Sequence, residues 1–175
     1  MLTVSVEPTI EFNNRSGMAS SSRNKAIELW KTALPEGDPQ QNARLLFSYE
    51  NPPGTDEISG SQDALGICLP GLNRLNYKGN YWPDSIISVH DDKLLDWLEK
   101  RLYLIALGPR KNDFAVLGET SIDAAKSAEL AYHADQCWNA IMAQDTEAAG
   151  RHMTGSFNAQ RSMFPRMADG EIMDF

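Results

Sequence analysis

The chain is poor in the residues that metal scaffolds, disulfide frameworks and membrane anchors need. Its two cysteines, Cys68 and Cys137, are far apart and neither belongs to a CxxC pair. This argues against a cysteine zinc site or a disulfide framework and leaves reduced, buried thiols as the expectation. The three histidines, His90, His133 and His152, lack the HExxH spacing of a zinc-binding helix, so surface or packing roles are expected for them. No apolar stretch approaches the roughly 20 residues that span a bilayer, and the opening MLTVSVEP has neither the charged nor the apolar region of a secretory signal. The expected location is the cytoplasm, with no membrane partner, and a cytoplasmic chain would leave the sequon Asn14-Arg15-Ser16 unused. Positive charge is also short: Lys and Arg number 16 against 24 Asp and Glu, for a formal net charge of -8. Nucleic acid and anionic lipid are therefore unsuited as main partners.

What is present suits a globular protein. A length of 175 residues, with 42% hydrophobic and 23% charged, can bury one sizeable core or two small ones. Residues 3–12 alternate loosely as a strand that Pro8 would confine to an edge. Ala26, Ile27, Trp30, Ala33 and Leu34 predict a helix from Ser20 until Pro35. Asp38 as cap and Pro39 in the first position open a second helix, with Ala43, Leu46 and Phe47 on one face, Glu50 in its last turn and Pro52 beyond its end. A loop over 51–60 follows, then short strands over 65–69, 72–77 and 85–89, the first two around the turn Pro70-Gly71. Leu94, Leu95 and Leu98 predict a helix over 91–100, and a buried strand over 102–107 closes at Gly108-Pro109. Thr120, paired with Asp123 in a capping box, opens a long helix whose Ala124, Ala128, Ala131, Ala134, Trp138 and Ile141 imply close packing. In a last helix Ala149, Met153, Phe157, Gln160 and Phe164 share one side before Pro165. Strands and helices without strict alternation indicate the α+β class, with helices packed on a mostly antiparallel sheet and a passage between lobes near Asn80.

Three features carry candidate chemistry. The run Gly17-Met18-Ala19-Ser20-Ser21-Ser22 stands directly before a helix; small residues let backbone N–H groups approach an anion, and the helix points its positive end there. It is no Walker loop, since the Gly-Lys-Ser/Thr ending is absent. Glu50 closes the second helix, and the loop Ser59-Gly60-Ser61-Gln62-Asp63 supplies a further carboxylate. Each has a plainer reading alone: a serine-rich linker or helix cap, a solvated helix-end acid, and a turn cap.

In this order the three resemble the GHMP small-molecule kinases, the superfamily of galactokinase, homoserine kinase and mevalonate kinase, whose signature loop reads approximately PxGxGLGSSxA. Here the matching stretch is NNRSGMASSS, with Asn14 and Arg15 where the family has proline and glycine, and Ala19 at its third glycine. The resemblance runs from about Asn13 to Pro165, and SGSQDALG is most similar to the heptose-phosphate and fucose kinases. It implies that Ser16, Gly17, Met18, Ala19, Ser20, Ser21 and Ser22 wrap the ATP phosphates and that Ser20 and Glu50 hold Mg2+. It further implies that Asp63, in Gly60-Ser61-Gln62-Asp63, is the catalytic base or orients the substrate hydroxyl. Arg15, Arg110 and Lys111 suit either phosphate contact or plain surface exposure. A two-lobed but incomplete kinase fold would follow, with residues 1–80 a partial nucleotide-binding lobe and 81–175 a partial C-terminal α+β lobe. The family's N-terminal segment and its glycine-rich third motif have no counterpart here. The expected activity is ATP-dependent phosphorylation of a sugar or sugar-phosphate hydroxyl, with self-association possible through strand edges left unpaired. The alternatives are a catalytically silent nucleotide-binding or dimerisation domain of that descent, and an unrelated α+β interaction protein.

Overall fold

A computed structural model describes residues 19–31, 34–56, 58–103 and 120–168. Among these it contains six helices and one two-stranded antiparallel sheet, a mixed α+β fold. The chain divides into two compact units, Met1–Asp91 and Asp92–Phe175. The expected strand over 3–12 lies outside the described residues, as does most of that expected over 102–107; Leu102 and Tyr103, which are described, form no strand.

The first unit holds α1 (Ser20–Trp30), α2 (Pro39–Glu50), α3 (Gln62–Cys68), β1 (Leu72–Asn76) and β2 (Ser85–Val89). Helix α1 ends short of Pro35, because Lys31 turns left-handed (φ 67°) and its N–H closes on Ile27 O at 2.7 Å. Helix α2 starts where the caps place it, with Asp38 Oδ1 accepting from Gln40 N–H at 2.9 Å and Pro39 in the first turn. The buried Asn42 side chain donates to Pro35 O at 2.9 Å and so ties the connecting loop to α2. The expected strand over 65–69 is instead the second half of α3. Ala64, Leu65 and Cys68 recur at helical spacing and are all buried, and a short apolar run does not distinguish the two periods on its own. Ala26, Ala43, Leu46, Ala64, Leu65 and Cys68 form the core, and Leu75 and Ile86, directly paired across the sheet, pack against it. The hairpin spans Asn80, so the units separate after Asp91 rather than at the lobe boundary the sequence suggests.

The second unit holds α4 (Asp92–Glu99), α5 (Ala124–Met142) and α6 (Thr146–Met163). Helix α4 buries Leu94 and Leu98. Past its end the Arg101 guanidinium stacks 4.8 Å from the Trp97 ring and donates from Nε to Thr146 Oγ1 at 3.0 Å, joining α4 to the start of α6. The cap of α5 is Asp123, whose Oδ1 accepts from Lys126 N–H at 2.8 Å; Thr120 stands outside the helix and forms no capping box. The alanine stripe is not the packed face either: Ala124, Ala128, Ala131 and Ala134 are exposed, while Ala140 is buried. Alanine is the best helix former whether buried or not, so its repetition marks a helix without marking an interface. In α6 the inward residues are Ala149, Ala159 and Met163, whereas Met153 and Gln160, expected beside Phe157, are exposed. The α5–α6 turn is a Schellman motif: Gln144 is left-handed (φ 57°), Gln144 N–H donates to Ile141 O at 2.9 Å, and Asp145 N–H to Ala140 O at 2.9 Å. Among the described residues no helix is long and apolar enough to cross a membrane.

Candidate functional site

Of the residues that the sequence nominates, Ser16, Gly17 and Met18 lie outside the described residues, as does the side chain of Ser20, the serine expected on magnesium. Arg15, Arg110 and Lys111 lie outside them too. Ala19 stands at the N-cap of α1 with φ 53° and ψ 30°, a left-handed backbone that favours glycine and that alanine adopts against its Cβ. The first intrahelical bond runs from Arg23 N–H to Ala19 O at 2.8 Å, so the N–H groups of Ser20, Ser21 and Ser22 have no acceptor within the helix. Three donors and the positive end of α1 therefore share one place.

Three nominated side chains meet beside that place. Ser21 is exposed, while Ser22 is turned inward at 6% exposure and its hydroxyl donates to Asp63 Oδ2 at 3.5 Å. Glu50, the last residue of α2, faces the same hydroxyl and feels the Asp63 charge. Its Oε2 is buried without a hydrogen-bond partner. Burial pushes the Glu50 carboxyl above its ordinary value; hydrogen bonding by Ser22 works against that rise and the charge of Asp63 adds to it. Cys68 lies close enough to be affected: burial, reinforced by Glu50, pushes its thiol up to about 11, so it is a neutral thiol and no nucleophile at pH 7.

Sequence reasoning missed Ser61, the residue that fixes the third element. Fully buried, it donates to Tyr81 O at 2.5 Å and accepts from the Tyr77 hydroxyl at 3.0 Å, which pins the start of α3 to the hairpin. Asp63 then stands in the first turn of α3, and Leu65 N–H donates to Ser61 O at 2.9 Å. Nearer Glu50, Asn51 Oδ1 accepts from both the N–H (2.8 Å) and the hydroxyl (3.0 Å) of Ser59, bracing the loop that leads to Asp63. The prolines, glycines, serine and aspartate of 51–60 mark a loop in the sequence, but the partners of Asn51, Ser59 and Ser61 depend on the fold.

Two carboxylates that flank one hydroxyl, one of them with an unpartnered buried oxygen, make a site whose neighbouring cation, Lys25, is already paired with Glu28 at 2.9 Å. A proton or a cation with a preference for oxygen satisfies it. No group of three or more His, Cys, Asp or Glu side chains gathers among the described residues. A cation here would draw most of its coordination from water or from the oxygens of a ligand. Comparison of the chain with family profiles, with curated proteins and with solved structures finds no match.

Proposed function

We propose that the first unit binds the phosphates of ATP at the N-terminus of α1 and that the chain transfers the terminal phosphoryl group to a sugar or sugar-phosphate hydroxyl, in the manner of GHMP kinases. The observation that carries this reading is the meeting of Ser22, Glu50 and Asp63 beside three N–H donors, with Glu50 Oε2 buried and unpartnered. A second feature supports it: the left-handed backbone at Ala19, where the family's signature has glycine.

In this reading the N–H groups of Ser20, Ser21 and Ser22 hold phosphate oxygens, and the α1 dipole favours their charge. Mg2+, when bound, neutralises charge on the phosphates that are transferred and left behind. Glu50 would hold it through the free oxygen, and the resemblance assigns Ser20 as a further ligand. Asp63 orients the acceptor hydroxyl and takes its proton. Phosphoryl transfer asks for such positioning and charge neutralisation more than for covalent chemistry by the protein.

Thermal melts with Mg-ATP, followed by an ADP-release assay over hexoses, heptoses and their phosphates, test the reading. A magnesium-dependent rise in melting midpoint is expected, together with turnover that falls about 100-fold or more in Asp63→Asn while ATP protection persists. No protection of the folded chain at saturating nucleotide overturns the whole reading. Protection without turnover on any acceptor leaves the silent nucleotide-binding domain in its place.

A further inference from the structure

A second polar pair lies in the other unit, and nothing in the kinase reading uses it. His133 on α5 and His152 on α6 face each other with Nδ1 to Nδ1 at 3.0 Å, both half-buried. Tyr132 stands edge-on to the two imidazoles, at 5.3 Å from His133 and 6.0 Å from His152. Gly155 makes room for the arrangement: a Cβ there would strike the Nδ1, Cε1 and Cγ atoms of His133. As neutral rings the pair shares a single proton, one Nδ1–H donating to the lone pair of the other.

We propose that His133 and His152 form a two-histidine seat for a late first-row divalent cation such as Zn2+, Ni2+ or Cu2+, clamping α5 to α6. Two imidazole nitrogens on one ion, each at about 2.0–2.1 Å, lie about 2.9 Å apart at a right angle and about 3.4 Å apart in a tetrahedron. The observed 3.0 Å falls inside that span; with the ring centroids 5.3 Å apart the two Nδ1 atoms point at each other, so both rings swing off that line to converge on an ion beside it, a side-chain rotation at the same helix spacing. Imidazole selects these borderline cations over Mg2+, which separates this seat from the all-oxygen carboxylate pair of the first unit. No third His, Cys, Asp or Glu joins the two among the described residues, so water or an external ligand completes the coordination and the ion is exchangeable.

The test uses the untagged, chelator-treated full chain and Cu2+ as probe, read by electron paramagnetic resonance and by thermal melt, with Zn2+ as a second cation. One equivalent of Cu2+ coupled to two imidazole nitrogens is expected, together with a rise in melting midpoint with either ion. Both signals vanish in His133→Ala and His152→Ala and persist in His90→Ala. Gly155→Ala keeps both imidazoles but drives the His133 ring aside, and weakens binding by about 10-fold or more. Circular dichroism confirms that each variant stays helical. Two-nitrogen coupling that survives His152→Ala, single-nitrogen coupling in the parent chain, or affinity unchanged by Gly155→Ala overturns the proposal.

Discussion

Ala19 and Gln144 both hold a left-handed backbone, at φ 53° and 57°, where a side chain meets the neighbouring carbonyl. Glycine relieves that strain and loses part of the gain to its freer unfolded chain. Gln144→Gly, within a complete Schellman motif, is expected to raise the unfolding free energy by about 1 kcal/mol, and Ala19→Gly by a similar amount, both read from urea midpoints. Glu50 carries a different kind of strain. Burial raises its folded-state carboxyl above the ordinary 4.5, so between the two values the folded state binds the proton more tightly than the unfolded chain. The stability this group contributes is full below 4.5 and is lost as pH rises through the raised folded value. Glu50→Gln removes the desolvated charge. The variant is therefore expected to outlast its parent in urea at pH 7, with an advantage that shrinks towards pH 4. Equal stability of the two at every pH would show that the carboxylate is solvated. On the proposed function the same variant loses magnesium-dependent ATP protection, a trade of stability against function at one residue.

The hairpin shows how one position governs an element. Gly71 lies at φ 76° just before β1, and a Cβ there would collide with the Val89 carbonyl oxygen and approach His90 Nδ1 at 2.8 Å. The carbonyl belongs to backbone paired with Leu72 and cannot swing away. Gly71→Ala is expected to cost about 2 kcal/mol or more, with hydrogen-exchange protection lost first in β1 and β2; a loss confined to other elements would contradict that assignment. Helix α3 teaches the opposite lesson. Leu65-Gly66-Ile67-Cys68-Leu69 reads as a strand by its apolar run, yet as far as Cys68 it winds as a helix because Ala64, Leu65 and Cys68 then fall together on the core of α1 and α2. In α5, likewise, the repeated alanines announce a helix while His133, Cys137 and Ala140 are among the residues less exposed than they are.

Taken whole, the chain is strongly acidic, with a sequence pI near 4.8. Its field repels polyanions, so passage through a heparin column at about 0.1 M salt and retention on an anion exchanger are expected. The same field, with Glu50 and Asp63 at the candidate site, opposes metal-free ATP. On the proposed function, excess EDTA is expected to remove ATP protection entirely, and protection that persists in EDTA would detach the nucleotide from the carboxylate pair. Signals that act over a few residues were readable without coordinates. The Asp38-Pro39 opening of α2, its end before Pro52, the bounds of β2 at Ser85–Val89 and the mixed α+β class all follow from caps, prolines and alternation. The period of the run at 65–69, the packed face of α5, the choice of Ser22 as the inward serine and the meeting of His133 with His152 do not. Each depends on which surface a distant segment removes from water, and that energy has no trace in the local order of residues.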